Sequence, residues 1–185
     1  VTDGTWSPLP GRARRGEASR IVSEALTRMW HDARPDRLGC ASALCLTGSF
    51  ARAEGGPKSD LDVVVLVEAD DPALPEVVHD LVSALWDSGL GVDHSVRTPA
   101  QCAQIAASDL PALAGLLDLV PVAGERTLAD TVIHRVRGDL RKQAPARIDE
   151  LLSDARARWS HWDLLHQVNE PHLKDCRGGI RDLDL

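Results

Sequence analysis

A chain of 185 residues, 43% apolar and 26% charged, has enough material for one ordinary hydrophobic core and is too mixed in composition for a disordered or fibrous protein. Its net charge of -7 argues against a nucleic-acid partner, since phosphate contacts need a basic field, and points to a protein or small-molecule acceptor. Cys40, Cys45, Cys102 and Cys176 show neither Cys-x-x-Cys nor metal-finger spacing, and no signal peptide or long apolar span precedes them, so reduced thiols, a cytoplasmic location and no membrane association are expected.

Residues 1–16 are rich in Pro, Gly and Arg and read as a mobile arm. Ile21, Val22, Ala25, Leu26 and Met29 then recur at helical spacing and predict a helix over about Glu17 to His31. A loop through Pro35 leads to a strand at about Ala41 to Leu46, a Gly48-Ser49 turn, a short helix near Phe50 to Glu54, and the Asp60-Leu61-Asp62 strand that continues through Val63 to Val67. Pro72 and Pro75 open a helix whose buried face is Val77, Val78, Leu81, Val82, Leu85 and Trp86, ended by Gly89 and Gly91. Another strand follows at Gly91 to Arg97. Beyond Pro99 the pattern is mostly helical, with a short strand at Leu119 to Val122. A long helix from Pro145 to Gln167 then carries a packing stripe of Ile148, Leu151, Leu152, Ala155, Trp159 and Trp162. This order predicts an α+β fold, a small mixed sheet backed by helices, with a core over 17–118 and a mainly helical lobe over 119–185.

The chemistry concentrates between Gly48 and Asp62. Alternate strand residues share a face, so Asp60 and Asp62 project together at the head of an apolar strand, where two carboxylates suit a pair of divalent cations. Gly48 lets backbone approach a phosphate, and Ser49 adds a hydroxyl and an N–H at an expected helix N-terminus. Together they point to in-line attack on a nucleoside triphosphate. His31-Asp32 and His79-Asp80 lie on amphipathic helical patterns without metal-ligand partners and read as solvated helix faces, not as a phosphohydrolase site.

Three motifs in fixed order resemble the nucleotidyltransferase domain of the PII uridylyltransferase and uridylyl-removing enzymes, within the DNA polymerase β-like superfamily. They are Gly48-Ser49-Phe50-Ala51-Arg52-Ala53-Glu54 with Ser59-Asp60-Leu61-Asp62, then Asp93-His94-Ser95-Val96-Arg97-Thr98, then Glu170-Pro171-His172-Leu173-Lys174 with Gly178-Gly179-Ile180-Arg181-Asp182-Leu183. The resemblance spans residue 41 to the end. It differs at the first motif, where the family usually has Gly-Gly-Tyr-Gly-Arg-Gly-Glu and this chain has Ser49, Ala51 and Ala53 at three glycine positions and Phe50 for the tyrosine.

The resemblance implies a polymerase β-like core and Mg²⁺-dependent transfer of UMP from UTP to a tyrosine of the nitrogen-signalling protein PII, with two Mg²⁺ ions, or Mn²⁺, held by Asp60, Asp62 and Asp93. Gly48, Ser49, Arg52, Lys174 and Arg181 are the expected nucleotide-binding residues, and Arg52 and Arg97 are open to either a triphosphate or a structural ion-pair role. An adenylyltransferase using ATP on PII is the close alternative, and a glutamine synthetase adenylyltransferase, which shares the Gly-Gly-Ile-Arg pattern, ranks third. A catalytically silent nucleotide-sensing or PII-docking module is the alternative from another class. The family's downstream histidine-aspartate hydrolase and regulatory domains have no counterpart here, so nucleotide removal is not expected of this chain.

Overall fold

The computed structural model describes residues 11–161 and 172–182, and the chain divides into two compact units, Val1–Val136 and Arg137–Leu185. The first unit is built on a mixed sheet in the order β3-β2-β1-β4, formed by β1 (Ser42–Leu46), β2 (Leu61–Val67), β3 (Val92–Arg97) and β4 (Val120–Gly124). β1 runs antiparallel to β2 and β4, whereas β2 and β3 are parallel. The expected α+β class with a small mixed sheet is the one observed.

β2 is central, and its run from Val63 to Val67 is buried on both faces, which is why it reads as continuous rather than alternating apolar sequence. Each such side chain contributes roughly 1.5–3 kcal/mol of burial. On one face Leu61, Val63, Val65 and Val67 join Leu44 and Leu46 against Leu26 and Trp30 of α1 (Gly11–Asp32) and Val77, Leu81 and Leu85 of α3 (Leu74–Asp87). On the other, buried Cys45 of β1 lies close to buried Cys102 of α4 (Pro99–Ser108), which is followed by α5 (Leu110–Leu117). Thr98 and Gln101 form a reciprocal capping box at the start of α4, and Asp109 caps α5 through the Ala112 N–H at 2.7 Å.

Several boundaries move. α1 begins at Gly11, so residues 11–16 are helical rather than an arm: Arg and Ala are good helix formers, and a single Gly16 costs only about 1 kcal/mol. Its inward residues are Leu26 and Trp30, each 1% exposed, while Ile21 faces solvent. In α3, Trp86 is also exposed and meets His94 edge-on with ring centroids 6.4 Å apart. β4 pairs with β1, so residues beyond 118 belong to the core sheet, a long-range pairing that no local pattern announces.

The longest departure is α6 (Arg126–Trp159), which runs from the first unit into the second with Pro145 inside it. Pro favours the first helical turn, so it marked an apparent start. Instead buried Leu128, Ala129, Val132 and Val136 anchor the helix upstream and offset an interior proline's cost of about 3 kcal/mol. Along the expected packing stripe Ala155 is buried, Leu151 and Trp159 are half-buried, and Ile148 and Leu152 are exposed; Trp162 lies outside the described residues. Among the described residues, no helix is long and apolar enough to cross a membrane.

Candidate active site

The site begins where β1 ends. The Thr47 N–H donates to the Asp62 carbonyl at 3.0 Å, tying the end of β1 to the head of β2, and the chain then turns at Gly48 with φ of +64° into the short α2 (Gly48–Ala51). The turn enters α2 earlier than the expected Phe50 to Glu54, because Phe50 is the residue it buries. Gly48 is required twice: its backbone is left-handed, and a Cβ there would collide with Asp62 Oδ2. Ala53 is also left-handed, with φ of 58°, at one of the positions where the resembling family carries glycine.

The carboxylates come next. The parallel register sets Asp62 directly opposite Asp93 on one face of the sheet, with strands about 4.8 Å apart. Asp93 stands on the strand next to that of Asp62, since β3 is hydrogen-bonded directly to β2. The Leu61 N–H donates to the Gly91 carbonyl at 2.7 Å, and a Cβ on Gly91 would collide with Asp60 Oδ1. Each acid of the Asp-x-Asp pair is therefore backed by a glycine whose missing side chain leaves it room. Asp62 is half-buried; Asp60 and Asp93 are exposed. Thr47, Asp62, Asp93, Ser95 and Arg97 line an open cleft of about 190 Å³.

Among the described residues, no three His, Cys, Asp or Glu side chains close around one point. The donor set fits a hard divalent ion nonetheless: the oxygens are carboxylate, Asp62 and Asp93 share a register and a face, and glycines keep space beside Asp60 and Asp62.

Of the two arginines expected near the nucleotide, Arg52 donates to Asp118 Oδ2 at 2.6 Å and to Glu54 Oε2 at 3.1 Å, so it braces α2 against the end of α5. Behind the sheet, burial pushes the Cys45 thiol up to about 12 and the Cys102 thiol up to about 11, which keeps both neutral and unreactive.

Lys174 and Arg181 belong to the second unit. Gly178, with φ of +79°, turns the chain into a three-residue 3₁₀ turn, Ile180–Asp182. The Arg181 guanidinium pairs with Asp175 at 2.9 Å, and Lys174 is exposed. Asp182 organises this turn by accepting from Arg158 at 2.8 Å, the Gly178 N–H at 2.8 Å and the Trp159 indole at 3.0 Å. Burial alone would raise its pKa, but these donors outweigh it and hold the carboxyl below its usual range. Glu170 and Pro171 of the third motif lie outside the described residues. Sequence reading overlooked Gly91 as a partner of Asp60; a glycine two residues ahead of an acid-bearing strand was the available signal.

Residues 32–110 match the family model described as a nucleotidyltransferase domain. The bifunctional uridylyltransferase/uridylyl-removing enzyme of Streptomyces coelicolor is 35% identical over 98% of this chain, which covers 21% of that protein. The protein of the same name from Corynebacterium glutamicum is 36% identical over 80% of this chain, again 21% of its own length. The chain therefore spans about a fifth of these relatives. A crystal structure of a toxin-antitoxin with AMP-PNP aligns at 20% identity with 70% of this chain and 98% of its own, with a TM-score of 0.40.

Proposed function

We propose that the chain, whose residues 32–110 match the nucleotidyltransferase domain model, transfers UMP from UTP to a tyrosine of the PII nitrogen-signalling protein and releases pyrophosphate. The observation that carries this reading is the in-register pair Asp62 and Asp93 lining one cleft, with Gly48 leaving room beside Asp62 and Gly91 beside Asp60. The relatives' shared uridylyltransferase name supports UTP over ATP.

Nucleotidyltransferase domains generally use divalent metal ions, and here Asp60, Asp62 and Asp93 would hold Mg²⁺. When bound, such ions neutralise triphosphate charge and lower the pKa of a coordinated oxygen. Gly48 and Ser49 offer backbone and hydroxyl donors to the phosphates, while Arg52, fixed by Asp118 and Glu54, steadies that turn. The acceptor's phenol, with a pKa near ~10, forms its new bond to the α-phosphorus as the bond to the pyrophosphate oxygen breaks. Its proton passes to the Asp93 carboxylate. Asp93 stands on the outermost strand and is exposed, which suits an acceptor as large as a protein loop.

Incubation of the chain with PII, Mg²⁺ and either UTP or ATP, followed by intact-mass measurement, tests the reading. A UMP-sized increment on PII, lost when the acceptor tyrosine is replaced by phenylalanine, is expected. An AMP-sized increment would move the assignment to adenylyl transfer, and no increment with either would remove it.

A further inference from the structure

Resting on that reading of the cleft, we propose that Arg97 grips the pyrophosphate end of the bound triphosphate, a role that Arg52 does not fill. The first unit has two half-buried cationic side chains among its described residues, Arg52 and Arg97; its other lysine and arginines are exposed. Arg52 is engaged by Asp118 and Glu54. Arg97 has no hydrogen-bonded or ion-paired carboxylate among the described residues, yet it is withdrawn from water and lines the cleft. A half-buried charge with no counter-ion costs free energy unless a ligand supplies one.

Placement indicates which ligand. Strand alternation puts Asp93, Ser95 and Arg97 in one row on the face that carries Asp62, and all four line the cleft. At ~3.3 Å per residue, the Arg97 backbone lies ~13 Å along β3 from Asp93. An arginine side chain reaching back over that span leaves room for phosphates between guanidinium and carboxylates. The row thus runs from acid to hydroxyl to cation, from the atoms that react to the group that leaves. The guanidinium also acts on the Cys102 thiol of α4, pulling down a pKa that burial raises, which sets the charge above this face of the sheet. The acids alone would repel a triphosphate. Arg97 is the one arginine or lysine among the described residues lining the cleft, and its planar fork matches two phosphate oxygens at once.

Calorimetric titration of the full chain with Mg²⁺ and inorganic pyrophosphate, UMP or UTP tests this in wild type, Arg97→Gln, Arg97→Lys and Asp62→Asn. Arg97→Gln should weaken pyrophosphate and UTP by about 10- to 100-fold while UMP binds as in wild type, because a charge-assisted bidentate contact is lost from the leaving group alone. Arg97→Lys, which keeps the charge but not the fork, should fall between them. Pyrophosphate affinity unchanged in both Arg97 variants would overturn the assignment, as would an equal loss for UMP and pyrophosphate. If wild type binds no UTP, or if Asp62→Asn leaves Mg²⁺-dependent binding intact, the reading of the cleft itself fails and Arg97 with it.

Discussion

The cleft at β2 and β3 and the turn around Asp182 both carry acids and arginines from recognisable motifs, yet they treat charge in opposite ways. At the cleft, acids of one sign stand in register with solvent access and with glycines holding space beside them. Around Asp182 the charges pair within the turn: one carboxylate accepts from Arg158, Trp159 and Gly178, Arg181 pairs with Asp175, and the Arg177 guanidinium lies 5.2 Å from the Trp159 ring centroid. Acids held in register at an open cleft are suited to binding a ligand, and charges paired within a turn to fixing a chain conformation. A motif names residues without saying which of the two they do.

The sharpest way to break that comparison is Asp62→Asn. If the acids serve chemistry, transfer should fall by at least ~10³-fold while the fold is retained. A large drop in stability with turnover retained would make Asp62 structural.

Asp182→Ala should do the reverse. It strands the Arg158 guanidinium, whose side chain is 8% exposed, and should cost the second unit about 3 kcal/mol in denaturant unfolding. The pH dependence sharpens this. Because the folded-state pKa of Asp182 is depressed, its contribution is present above the unfolded value near ~3.9 and is lost as pH falls through the folded value. The wild-type advantage over Asp182→Asn should therefore shrink below about pH 4; an advantage that is flat from pH 7 down to 2 would contradict the pairing.

Asp93→Asn isolates the edge of the cleft. Nucleotide binding should persist through Asp60 and Asp62 while turnover falls by at least ~10²-fold, with little change in the Michaelis constant for nucleotide. Wild-type turnover would place the third carboxylate elsewhere.

The smallest effect concerns the turn between the two strands. Ala53 holds a left-handed backbone at φ of 58°, so Ala53→Gly should stabilise the first unit by up to about 1 kcal/mol, read as a small rise in melting temperature. A fall would show that this φ is not strained.

Much of the first unit was legible because its signals are local. The Val63 to Val67 run could hardly be anything but a central strand, and the helical pattern beyond Pro99 begins at that proline in the structure as well. Pro145 was misleading for the same reason: as a local sign it marks a helix start, and contacts made by Val132 and Val136 overrule it. Trp30, the largest fully buried side chain, went unremarked because nothing next to it in the chain shows that a sheet lies beneath.

By itself, the amino-acid order determined the α+β class, the Gly48-Ser49 turn and the placing of Asp60 and Asp62 at the head of one strand, since each depends on residues a few positions apart. Only the tertiary structure decided that Asp93 faces Asp62 across a parallel pair, that Gly91 makes room for Asp60, that β4 closes the sheet, and that Arg52 spends its charge on Asp118 while Arg97 keeps its own. Those facts rest on contacts between segments tens of residues apart, where register and burial are set by how the whole core packs and not by any neighbour in the chain.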